Sequence, residues 1–201
     1  MVDSNLAPNE VITQTTILEA IERLATQHIG LFIPGVKSFP LEVATDISSD
    51  HWVASVLLNA SKAQIYFRVH FSTALSRSLL ADQFKTDPSQ INPLTAHDHL
   101  KEFCNLVMGR VKGALSPELS VEEKTKVFLP KIDPSYDTYK EAPIGTEKAL
   151  EESWWRMVWD SGELMMYAKV KSAGGFSNNV LAALAQDNVI IVDNDGDIEF
   201  L

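Results

Sequence analysis

Residues 98–109 read DHLKEFCNLVMG, and the placing of their side chains on a helix organises the rest of the chain. Asn105 sits in the middle of an otherwise helical pattern, although asparagine competes for backbone hydrogen bonds and weakens a helix interior. At about 100° per residue, Leu100, Phe103, Cys104, Val107, Met108, Val111, Ala114 and Leu115 share one arc, which is the expected core face. Asp98, Glu102, Asn105, Gly109 and Gly113 fall within about 80° of each other on the opposite side. The outer line therefore runs acid, acid, amide, glycine, glycine. Each glycine costs a helix about 1 kcal/mol relative to alanine. On an outer face it does nothing for the core, but it lets another surface approach the backbone beside Asn105. A carboxylate there can pair with a lysine of a partner, and a carboxamide can orient a water without becoming a base. Taken alone, such a line is most often a solvated face.

Working outward, the helix is expected over 95–115 with Thr95 as its cap. Upstream, HWVASVLLNA and AQIYFRVHF are short apolar or alternating runs joined by a turn at NASKA, a hairpin within 42–71. FSTALSRSLLADQF reads as a second helix capped by Ser72 or Thr73, and KTDPSQINP as a loop. A first helix is expected over 15–29, after a loose lead-in over 1–14. LFIPGVKSFP is a connector with room for a short extended piece. Downstream, KTKVFLPKI reads as one strand and 133–152 as a polar surface insertion. SWWRMVWDSGELMMYAKVKS forms two strands around DSGE, with one face of the tryptophan-rich strand in the core. NNVLAALAQ is a short helix, and NVIIVDNDGDIEFL a closing hairpin. Helices mixed with antiparallel-type strands predict a single α+β layered domain over 15–201.

The 201 residues are enough for one domain with a real core, and 45% hydrophobic with 22% charged residues is ordinary for a soluble globular chain. A net charge of −10 excludes non-specific nucleic-acid binding, which needs a basic face, and disfavours anionic membranes. The single cysteine rules out an internal disulfide, and no apolar run is long enough for a membrane span, so a soluble cytoplasmic protein is expected. His97 and His99 point to different faces of a helix, so an exposed helix start is a better reading than a metal site. DNDGD at 193–197 lacks the spacing of a calcium loop and reads as a hairpin turn. Cys104 falls on the core face, as a buried inert thiol would.

Asp98, Glu102 and Asn105, with Gly109 one turn on and Pro130 further downstream, resemble the signature of the CheC/CheX/FliY phosphatases of bacterial chemotaxis. AQIYFRVHFSTALSRSLLADQF looks like the strand and helix that precede this motif in CheX. One copy of the motif is present where CheC and FliY usually carry two, so CheX is the nearer relative. Small residues often surround the motif in the family; here Phe103 and Cys104 stand inside it, both directed to the core face. The resemblance implies a CheC/CheX-like layered domain, mainly antiparallel sheet packed against long helices. It implies a phosphatase acting on the phosphoaspartate of a CheY-like response regulator, or a non-catalytic receiver-binding scaffold of the same fold. Asn105 would orient the attacking water, Glu102 would pair with the receiver's lysine, Asp98 would support them, and Gly109 and Gly113 would lie under the docked partner. No cofactor or metal of its own is implied, magnesium being expected on the receiver, and a homodimer joined through the sheets is implied as well.

Overall fold

The computed structural model describes residues 8–41, 50–116, 126–134, 151–172 and 176–185. Helix α1 (Pro8–Gly30) leads into strand β1 (Lys37–Pro40). Strands β2 (Trp52–Asn59) and β3 (Ala63–Phe71) follow, then helices α2 (Thr73–Phe84) and α3 (Pro93–Leu115). Strands β4 (Lys126–Val127), β5 (Lys131–Pro134), β6 (Glu151–Trp159) and β7 (Gly162–Ser172) precede helix α4 (Asn178–Ala185).

The seven strands form one sheet in the order β1-β6-β7-β3-β2-β4, with β5 also paired to β2. All pairings are antiparallel. Two tight hairpins build most of it. In the first, Ala54 faces Val69 and Val56 faces Phe67. In the second, Trp155 faces Met166 and Met157 faces Leu164. The hairpins meet along β3 and β7, where Phe67 stands opposite Ala168. Because side chains alternate along a strand, each strand sends one row to the helices. Ala54, Val56, Leu58, Ile65, Phe67, Val69, Trp155, Met157, Met166 and Ala168 share one buried cluster with Ile17 and Ile21 of α1, Leu79 of α2, Leu100 and Phe103 of α3, and Val180 and Leu184 of α4. Phe67 stacks on Trp155 with ring centroids 6.1 Å apart and planes 16° from parallel. The alternate rows hold a buried Arg68 among Tyr66, Trp154 and Tyr167, its guanidinium carbon 4.4 Å from the Tyr167 ring centroid. They also hold the pair His51 and His70, whose ring nitrogens are 2.9 Å apart.

The α+β class, both hairpins, the Ser72 cap of α2 and the core face of α3 agree with the sequence reading. Four expectations are corrected. Helix α1 begins at Pro8, not at 15, so the lead-in gives way to helix much earlier. Asn92, not Thr95, caps α3: its side chain accepts from the Leu94 amide at 2.8 Å, with Pro93 in the first helical position, where its missing N–H costs nothing. KTKVFLPKI is two strands, because Pro130 cannot donate to a ladder and separates β4 from β5. His97 is buried rather than at an exposed helix start. The strand in the connector is β1, which pairs with β6 at the sheet edge. The helix end beyond Ser116, most of the 133–152 insertion and the C-terminal hairpin lie outside the described residues.

Candidate functional site

Helix α3 is held on its inner side by α1, α2 and β2. Phe103 packs against His28 of α1 at 5.5 Å and against Phe67 of β3 at 6.2 Å between ring centroids. Burial, with the nearby charge of Arg110 and then His99, pulls His28 down to about 4, so it serves here as a neutral packing group. Near the start of α3, His97 lies between the rings of Trp52 and Phe71, at 4.7 and 5.2 Å. Its Nε2 is 3.3 Å from the Thr73 hydroxyl, which in turn is 2.9 Å from the Asp50 carboxylate. Partial burial works to raise the Asp50 pKa, but hydrogen bonds from Trp52 and Thr73 outweigh it and leave the carboxyl below its usual range. This tie fixes the front of α3 to β2 and to the first turn of α2, and so sets the direction in which the outer face points.

That face carries the residues singled out in the sequence. Asp98, Glu102, Gly109 and Gly113 are exposed and Asn105 is half-buried. Asn105 Nδ2 donates to Glu102 Oε2 across 3.4 Å, a long contact that sets the carboxamide beside the carboxylate. Asp98 is engaged separately: its Oδ1 is 2.5 Å from Lys101 Nζ, an exposed pair on the same helix that adds little stability. At Gly109 and Gly113 an added Cβ would meet nothing within 4 Å among the described residues, so no packing seen there requires either glycine. The structure thus brings Glu102 and Asn105 together, places the two glycines beyond them, and ties Asp98 to a neighbour instead.

The chemistry on offer is narrow. A carboxylate can hold a cation, and a carboxamide whose N–H is taken by that carboxylate can still accept from a water. Cys104 is fully buried, its Sγ 3.8 Å from the Ala54 carbonyl, and burial pushes the thiol up well out of reach of a thiolate. Among the described residues no three metal-ligating side chains come together, and no helix is long and apolar enough to cross a membrane. Sequence reasoning missed Leu94 and Leu106, which are 73% and 41% exposed. Leu106 lies at the border of the outer arc on the wheel and Leu94 sits a turn before Asp98, so both were available to it as apolar contacts flanking the ridge.

No family model matches the sequence, and no curated protein matches it. Solved structures do match. A CheC-like superfamily protein from Shewanella sp. PV-4 superposes with a TM-score of 0.58 at 11% identity, covering 78% of this chain and 98% of that one. The chemotaxis protein CheX from Vibrio vulnificus gives 0.56 at 12% identity, covering 77% and 99%. A chemotactic CheC-like protein from Shewanella oneidensis MR-1 gives 0.54 at 11%, covering 81% and 98%. These likenesses span nearly the whole of each relative. The chain has the fold of the CheC and CheX chemotaxis proteins.

Proposed function

We propose that this chain docks a phosphorylated CheY-like receiver along α3 and hydrolyses its aspartyl phosphate. The observation that carries the reading is the pair Glu102 and Asn105 on the outer face of α3, followed by two glycines that no packing among the described residues requires. The fold likeness to CheX supports it, as does the residue pattern around the pair.

In this mechanism Glu102 pairs with a lysine of the receiver and sets the two proteins in register. Asn105 enters the receiver's phosphorylation pocket, and its carbonyl oxygen accepts from one water. The water oxygen then bonds to phosphorus as the bond to the aspartate oxygen breaks. The products are inorganic phosphate, which carries the water's protons, and the restored aspartate. Asparagine takes no proton; it supplies position, which is most of what such a reaction asks of the protein. The receiver's magnesium offsets charge on the phosphoryl oxygens. Gly109 and Gly113 let the partner close onto the helix, and Leu94 and Leu106 give it apolar contact.

The test is the phosphate lifetime of a receiver, with this chain, without it, and with the Asn105→Ala variant. A lifetime shortened by the wild type alone supports hydrolysis. Binding with no change in lifetime would identify a scaffold instead. The homodimer implied by the family resemblance belongs to the same proposal, and sedimentation equilibrium reads it directly.

A further inference from the structure

An open pocket of about 650 Å³ lies at the C-terminal end of α3, lined by Lys112, Lys126, Val127, Phe128, Leu129 and Lys131. Three of these lining residues are lysines, in a chain whose net charge is −10. Among the described residues the ion pairs join Lys101 to Asp98 and Arg156 to Glu163, and none reaches Lys112, Lys126 or Lys131. Beside the ammonium groups stand two apolar side chains in water, Phe128 at 47% and Leu129 at 86% exposure. Their position has a backbone cause. The Phe128 amide donates to the Leu57 carbonyl at 2.9 Å, the last rung before Pro130 interrupts the edge, and the segment leaves Leu129 standing outward.

The pocket is continuous with the outer face of α3. Lys112 follows Asn105 by two helical turns, which places it about 10 Å further along the axis on the same side. Between them on this side lies Gly109, which puts no side chain in the way, and Gly113 follows Lys112 directly. The face is therefore polar along its length: carboxylates first, the bare glycine step next, ammonium groups and exposed apolar side chains last.

We propose that the lysine pocket is the second contact of the docking track and takes an acidic segment of the receiver that also carries an apolar side chain. This inference rests on the receiver reading given above and adds to it the direction of docking. A partner that sets a lysine against Glu102 must set carboxylates against Lys126 and Lys131. Turned end for end, it would oppose like charges at both places, an arrangement that costs more than a favourable pair gains and so enforces orientation.

The experiment compares the full chain with its Lys126→Glu/Lys131→Glu variant. Lys112 is left in place because it supports the last turn of α3. Receiver affinity is titrated at two salt concentrations, and kcat and half-saturation are measured for dephosphorylation. Lys37→Glu/Lys171→Glu serves as the control for net charge, and Lys126→Gln/Lys131→Gln as a milder second variant should the reversal fail to fold. The expected result is half-saturation and Kd raised about tenfold with kcat unchanged. The glutamine variant should fall between, the control should stay near wild type, and wild-type affinity should weaken with salt. Unchanged Kd in the pocket variants overturns the inference, whatever Asn105→Ala does to the rate. So does a variant whose receiver affinity is intact but whose self-association is lost, which would assign the pocket to a second copy of the chain. If Asn105→Ala keeps the wild-type rate, hydrolysis by this site fails, while Kd still decides the pocket. If no receiver binds the wild type, both readings fall.

Discussion

Asn105 and Glu102 stand one turn apart on α3, and the carboxamide donates to the carboxylate across 3.4 Å. The bond uses one N–H of the carboxamide and leaves its oxygen free to accept from a ligand. Asn105→Ala should therefore remove the acceptor that positions water while leaving the docking face in place. The expected outcome is a fall in receiver dephosphorylation of about a hundredfold with Kd little changed. Glu102→Lys should weaken both, since it opposes the partner's lysine with a like charge. Phosphate-release kinetics and a binding titration separate the two.

Gly109 lies in the interior of α3 with open space where a Cβ would be. Gly109→Ala should stabilise the free protein by about 1 kcal/mol, by improved helix propensity and a less flexible unfolded chain. The same methyl should weaken receiver binding if the glycine is there for a partner's approach. Urea denaturation and receiver titration on one variant give both answers, and a gain in stability with unchanged binding would remove the glycine from the docking surface.

Trp155 has no exposed surface, stacks on Phe67, and buries an indole N–H that has no hydrogen-bond partner among the described residues. Trp155→Ala should cost about 4 kcal/mol through lost burial and the cavity left behind. Trp155→Phe should cost less than about 2 kcal/mol, because it keeps a ring in the stack and removes an unsatisfied donor. Equilibrium unfolding of the two variants tests the order.

His70 is buried beside Arg68 and His51, with Trp154 against its ring. Burial, then the charges of Arg68 and His51, pulls it from 6.5 down to about 2, so it is neutral in the fold. The unfolded chain takes up a proton on this histidine below 6.5 and the folded chain does not. Stability is thus fully present above that pH and falls as pH drops toward 2. His70 alone should make the protein roughly 2 kcal/mol less stable at pH 5 than at pH 7. His70→Gln should flatten that dependence in denaturation curves taken at the two pH values.

Much of α3 was legible because one face is apolar at helical spacing and the other is not. Leu100, Phe103, Cys104, Val107 and Met108 are all buried, while Asp98, Glu102 and Gly109 face out. The hairpins were legible from their turns, since short alternating runs around NASKA and DSGE leave few other pairings. The order of strands across the sheet was not. Nothing local in KSFP announces that β1 will pair with β6 more than a hundred residues later. The burial of His97 was missed for a similar reason, as Trp52 and Phe71 come to it from β2 and β3. The cap of α3 was misplaced because Thr95 and Asn92 are both good caps, and Pro93 tips the choice to Asn92. The lysine pocket had no linear signal, since Lys112 and Lys131 come together only when β5 pairs beside β2.

The seam between β3 and β7 joins residues that are far apart in the chain, with Ala63 opposite Ser172 and His70 opposite Met165. Each hairpin on either side of it closes over a short turn. The seam itself must close a loop of about a hundred residues, and that entropy is spent before Phe67, Trp155 and Met166 can bury one another. Folding speed should therefore be sensitive to this junction, because distant pairings form late and slowly. Changes within either hairpin turn should act mainly on how fast the sheet comes apart, and changes along the seam on how fast it is made.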